Sequence, residues 1–215
     1  MADWVTISSL ATAGGTLVLA GATFSAVRSA NRSARIAEQG LQEQRRPLLV
    51  NARLDDPLQK VMFANGHWLR AEGSQAAVDE ADGTLYLGLP LRNVGSGIAV
   101  LQGWYPWPEL TTSETGHAPP EQFRRQIRDI YIASGDVGMW QGALREADDD
   151  ALPGIAAARA ERRAFSIDLL YSDQVGGHLT ISRFVATPAG DDGWLGYVGL
   201  HWNLDQAGLD NWGRR

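Results

Sequence analysis

The residues able to do chemistry in this chain of 215 are four histidines, several aspartates and one glycine-rich turn. There is no cysteine, which excludes a disulfide framework, a thiolate metal site and a cysteine nucleophile. His67, His117, His178 and His201 are far apart and show no His-x-x-x-His spacing. His178, His201 and Asp173 would make a zinc site if the last two hairpins brought them together, since neutral imidazole and carboxylate are good zinc ligands. Scattered histidines on polar faces account for the same residues, so neither a metal nor a cofactor is expected. Asp168 and Asp173 would serve glycoside chemistry if they faced one cleft about 5–9 Å apart. Yet Asp168 falls on the polar face of its strand and Asp173 in a turn, where solvation and turn hydrogen bonds are the ordinary reading.

Other motifs resolve the same way. Asn93-Val-Gly-Ser-Gly97 has neither the Lys-Ser/Thr nor the following helix of a phosphate loop, and reads as a hairpin turn. Glu146-Ala-Asp-Asp-Asp150 lacks the alternating spacing and closing glutamate of a calcium loop. No Gly-x-Ser-x-Gly elbow or His-Glu-x-x-His occurs. No catalytic residue is assigned, and enzymatic activity is left undecided with the balance toward none. Seven of the eight tryptophans lie beyond residue 47. Trp104 and Trp107 flank prolines at a strand end, where they either cap the core or dock a partner. With Asp173 and His178 they are the candidate partner or ligand surface.

The elements that would position these residues divide the chain in three: a membrane helix over 1–27, a helical stalk over 28–46 and a β domain over 47–215. Trp4 to Val27 is a run of 24 residues without a charge, enough to cross about 30 Å of hydrocarbon with some tilt. Small residues dilute it, and Ala11 with Gly15, and Gly21 with Ser25, give the small-xxx-small spacing that favours close helix packing. Arg28, Arg32 and Arg35 follow the run, where lipid headgroups would attract each by about 1 kcal/mol. The positive-inside rule then puts the N-terminus outside and the remainder in the cytoplasm at the cell membrane. The basic start of a cleavable signal is missing, so cleavage is not expected.

Residues 28–46 contain no proline, and the helix should continue to Pro47. Val27, Ala30, Ala34, Ala37, Leu41 and Leu48 draw a narrow apolar seam, readable either as a partner-helix face or as a solvated stalk. Five arginines against Glu38 and Glu43 make this stretch net +3, and with Asp3 the only earlier charge, residues 47–215 carry −8 of the chain's −6. So acidic a domain repels phosphate backbones, and nucleic acid is not an expected partner.

After Pro47 the apolar period becomes two. Leu85, Leu87, Leu89 and Leu91 alternate with Tyr86, Gly88, Pro90 and Arg92, and similar runs lie at 165–171, 179–185 and 194–204. Turn signals separate them, and weaker strands are expected near 48–54, 60–64, 67–71, 98–104 and 125–133. Seven to nine strands point to a mainly β, antiparallel, Ig-like sandwich. A short helix is expected over 153–163 and a proline-rich loop over 105–122.

Three stretches carry a resemblance: Gln44-Arg-Arg-Pro47 after the helix, Leu91-Arg-Asn-Val-Gly-Ser-Gly-Ile-Ala99, and Tyr171-Ser-Asp-Gln-Val-Gly-Gly-His178. With the N-terminal span, this layout resembles the uncharacterised actinobacterial-type single-pass membrane-anchored β-sandwich proteins. Where those proteins usually have Pro before the Ala, this chain has Ile98. The resemblance implies architecture and carries no catalytic residue. The function expected is a membrane-anchored protein-interaction module, an accessory or adaptor subunit. It would contact lipid and associate with other membrane subunits or with itself through the N-terminal helix. The alternative is a membrane-tethered ligand-binding or hydrolytic domain acting on carbohydrate or lipid headgroups.

Overall fold

The computed structural model describes residues 4–43, 45–145, 149–177 and 179–204; within the first helix, side chains are described for 13–17, 19–37 and 40. The chain forms two compact units, Met1–Gln44 and Arg45–Arg215.

The first unit is one helix, α1 (Trp4–Glu43). Its polar residues are accommodated locally: the hydroxyls of Thr23 and Ser25 donate back to the carbonyls of Leu19 and Ala22. Leu17, Leu19, Phe24, Val27 and Ile36 all stand exposed. Among the described residues, no helix is long and apolar enough to cross a membrane.

The second unit is mainly β and antiparallel throughout. Its strands are β1 (Leu49–Asn51), β2 (Gln59–Met62), β3 (Trp68–Ala71), β4 (Ala77–Ala81), β5 (Thr84–Asn93) and β6 (Ala99–Trp107). The short β7 (Arg124–Arg125) and β8 (Tyr131–Ile132) follow, then β9 (Val137–Arg145). A helix, α2 (Leu152–Ala160), precedes β10 (Phe165–Ser172), β11 (Leu179–Ala189) and β12 (Gly193–Leu204). One sheet centres on β5, with β9 along one side and β1 and β4 sharing the other. The second runs β12-β11-β10-β6, and β7 and β8 pair with the far side of β6. β2 and β3 form a separate hairpin.

The period-two leucines of β5 meet Leu101 and Trp104 of β6, Trp140 and Leu144 of β9, and Phe165, Ile167 and Leu169 of β10 in one core drawn from both sheets. The opposite faces are buried as well. Tyr86 on the back of β5 packs with Phe63, Leu69, Ala71 and Met139 around the β2–β3 hairpin. Behind β10 and β11, Leu170, Leu179 and Ile181 pack with Ala118 and Phe123 of the segment that follows β6. A strand with both faces covered hides its alternation, which is why the pattern along β10 understates its burial.

Two local expectations change, and one strand, β9, was not expected. The strand expected over 125–133 is two short pairings to β6, at 124–125 and 131–132. The loop expected over 105–122 begins only after Trp107, since β6 extends that far. β9 has no clean period in the sequence because Gly138 and Gly142 occupy its core-facing positions. A Cβ at Gly138 would lie 2.8 Å from Ile132 Cγ1, and one at Gly142 2.8 Å from Trp140 Cζ2. Glycine is what lets those bulky groups close on the strand. α2 starts with Pro153 in its first turn, where the missing N–H costs nothing.

Candidate functional site

Among the described residues β9 pairs only with β5, so it is an edge strand. Facing its free side is the segment after β7, tied down by the Gln126 amide, which donates to the Gln141 carbonyl at 3.1 Å, and by Gln126 N–H to Gln102 O at 2.9 Å. Between them, under the β2–β3 hairpin, lies a cavity of about 410 Å³. Met62, Phe63, Ala143 and Ile127 supply its apolar lining, and Gln126 and Gln141 its polar lining. Arg124, Arg125, Arg128 and Arg145 ring it.

Arg124 is already committed. Its guanidinium pairs with both carboxylate oxygens of Asp149 and lies 5.2 Å from the centroid of the Trp104 ring. Arg128 and Arg145 have no ion-pair partner among the described residues and are exposed. Gln141 is only 9 % exposed, yet its side-chain oxygen, like that of Gln126, is buried without a hydrogen-bond donor among the described residues. Buried carbonyl oxygens are seldom left so.

Trp104 and Trp107 do not form one platform. Three residues apart on β6, they face opposite sides: Trp104 packs edge-on to Trp140 in the core, ring centroids 5.3 Å apart, and reaches the cavity. Trp107 packs behind the sheet with Tyr105. Asp173 is far from both, because Trp107 is in register with Ser166 at the other end of β10, roughly 20 Å away at the rise of a strand. It does what the turn reading expects, accepting from Val175 N–H at 3.1 Å and Gly177 N–H at 2.8 Å. His178 lies outside the described residues. Among the described residues no cluster of His, Asp or Glu could hold a metal.

Asp168 departs from its expected place on a solvated face. It is 0 % exposed and forms a buried ion pair with Arg183, itself 1 % exposed, because the segment after Trp107 folds over that face. Arg183 Nε donates to Oδ1 at 2.6 Å and Nη2 to Oδ2 at 2.8 Å, while the Trp107 indole N–H donates to Oδ2 at 2.9 Å. The guanidinium sits between the Trp107 and Trp202 rings, 5.2 and 4.9 Å from their centroids. It also donates to the carbonyls of Thr112 and Gly116. The pair therefore pins the 108–123 segment to the sheet and offers no carboxylate for glycoside chemistry.

A second polar chain runs from the Leu49 N–H to the Tyr171 hydroxyl, then to Ser182 Oγ at 2.8 Å and His201 Nδ1 at 2.6 Å. Serine beside histidine is nucleophile geometry. Here Ser182 is fully buried, so no substrate reaches its oxygen and the chain ties β1 to the second sheet. Burial pushes the Tyr171 hydroxyl above its usual range and lowers the His201 imidazole.

On α1, Gly15, Gly21, Ala30, Ala34 and Ala37 are exposed, as are Arg28, Arg32 and Arg35. The side chains of Ala11 and Leu41 lie outside the described residues. Arg128, Arg145, Gln126 and Gln141 were not singled out by the sequence; the available signal was Arg124-Arg-Gln-Ile-Arg128, three cations in five residues of a domain at −8. No protein-family model matches the chain, and no curated protein or solved structure matches it with significance.

Proposed function

We propose that the chain is a membrane-anchored interaction module, an accessory or adaptor subunit whose N-terminal helix lies in lipid among other helices while its β domain faces the cytoplasm. The observation behind this reading is the exposure of Leu17, Leu19, Phe24 and Val27 on a helix that, among the described residues, is the only element of its unit. Burying each such side chain is worth about 1.5–3 kcal/mol, so the helix is stabilised by whatever apolar medium covers it. The uncharged run from Trp4 to Val27 makes lipid the natural medium. Arg28, Arg32 and Arg35 at its end set the orientation, and Gly15 and Gly21 leave room for a partner helix. In the same reading the two facing sheets are an Ig-like sandwich, and the chain is one of the actinobacterial-type anchored proteins it resembles.

Membrane fractionation tests the anchor: the full chain should resist alkaline extraction and need detergent for release. Recovery in the aqueous fraction without detergent would overturn it. A reporter fused to the C-terminus should be active only in the cytoplasm. After mild solubilisation the chain should run in a complex with a stoichiometric second protein or with itself, and a bare monomer would end the adaptor reading.

A further inference from the structure

We infer that the cavity between β9 and the 124–128 segment binds a small amphiphilic organic anion, a carboxylate or phosphate monoester on an apolar body that also carries a hydroxyl group. This reading is independent of where the helix resides.

Three features of the cavity each select one part of that ligand. Arg128 and Arg145 stand at its rim without ion-pair partners among the described residues, in a domain whose overall charge is strongly negative. Guanidinium groups recognise carboxylate and phosphate through paired N–H donors, and here they are the local exception to a repulsive field. The Gln126 and Gln141 oxygens line the same space and receive no donor among the described residues. A hydroxyl reaching them, directly or through a bridging water, removes the penalty of a buried unpaired acceptor. Met62, Phe63, Ala143 and Ile127 form an apolar part of the wall, which rewards an apolar body.

The same wall argues against a polyhydroxylated sugar. Sugars are held by open aromatic faces, and the ones here are taken: Arg124 covers Trp104, and Phe63 is buried in its own cluster against Tyr86. A volume of about 410 Å³ falls in the range of small-molecule sites and suits a ligand of one ring or a short chain better than a polypeptide segment.

Calorimetric titration of the purified full chain tests this with three probes: para-hydroxyphenylacetate, phenylacetate, which lacks the hydroxyl, and gluconate, which lacks the apolar body. The first should bind, the second about ten-fold more weakly, and gluconate not measurably, ten-fold being the effect of about one hydrogen bond. Arg128→Gln combined with Arg145→Gln should weaken para-hydroxyphenylacetate at least ten-fold while leaving the unfolding midpoint in place, since both side chains are exposed. Gln141→Met, which keeps the shape of the side chain, should equalise the two phenyl acids. Failure of para-hydroxyphenylacetate to bind at millimolar concentration, equal binding of gluconate, or indifference to the double arginine variant would each overturn the proposal.

Discussion

Replacing Asp168 by alanine should cost the domain about 3 kcal/mol. Removing one partner of a buried ion pair leaves the other charge uncompensated, typically at about 3–5 kcal/mol, and Arg183 at 1 % exposure has no route to water. Two features moderate the loss. Arg183 keeps the Gly116 carbonyl at 2.6 Å and the Thr112 carbonyl at 3.3 Å, and it remains between two indoles that attract a cation. The lower end of the range is therefore expected, which for a domain of this size lowers the melting temperature by about 6–12 °C. Urea unfolding of the full chain followed by tryptophan fluorescence measures it, because Trp107 loses its hydrogen bond to Asp168 and reports the site directly. The double replacement Asp168→Leu with Arg183→Met removes the stranded charge and should recover more than half of the loss. A loss below about 1 kcal/mol, or a double variant no better than the single one, would mean that the 108–123 segment opens readily enough to hydrate Arg183, and the pinning argument would fail.

Gly97→Ala should destabilise the domain by about 1–3 kcal/mol as overpacking, since its Cβ would fall 1.7 Å from the Arg45 carbonyl oxygen; faster tryptic cutting after Arg45 is the readout. Gly142→Ala should cost a similar amount and alter the near-ultraviolet circular dichroism, because its Cβ would press on both Trp140 and Trp104. Burial lowers the His201 imidazole from its model-peptide value of 6.5, so the unfolded chain takes up a proton that the folded one resists. Its stabilising contribution is complete above pH 6.5 and falls as the pH drops below it. The urea midpoint should therefore decline as the pH is lowered through 6.5 in the native chain and decline less in His201→Gln. The Arg92 guanidinium beside Asp56 lowers that carboxyl from 3.8, placing its loss in a separate, more acidic window that His201→Gln leaves unchanged.

The strands whose apolar residues alternate were legible in the sequence, even where both of their faces are buried. β5, β10, β11 and β12 carry regular alternation, and the structure has them close to where that alternation runs. What escaped was decided by partners that local pattern does not encode. β9 contributes Trp140 and Leu144 to the core, but Gly138 makes room for Ile132 and Gly142 for the rings of Trp140 and Trp104. Asp168 alternates with apolar residues and reads as solvent-facing until a loop arriving from Trp107 covers it. The cavity is harder still, because its lining comes from a hairpin, an irregular segment and an edge strand distant in sequence. Only the arginine triplet betrays it.

Described parts of the stretches 44–47, 91–99 and 171–178 lie close together in the structure. Asn93 is fully buried, and its side-chain oxygen accepts from Leu48 N–H at 3.1 Å and Gly95 N–H at 3.0 Å. Its amide donates to the carbonyls of Gly97 at 2.6 Å and Ile132 at 3.0 Å. Backbone bonds from Val94 to Leu48 and from Ser96 to Arg46 lay the 93–97 turn along residues 45–48. Glycine is required at 95 and 97 because a Cβ at either would strike the backbone of that segment. Leu49 N–H then donates to the Tyr171 hydroxyl, tying in the third stretch. Arg45 and Arg46, assigned to the stalk by composition, are thus held by the domain. The hairpin turn expected at 93–97 is instead a crossing between sheets, since β5 and β6 lie in different ones, and a turn alone needs neither the buried asparagine nor two glycines under steric demand. Fixing the backbone of residues 45–48 where the chain enters the domain needs both.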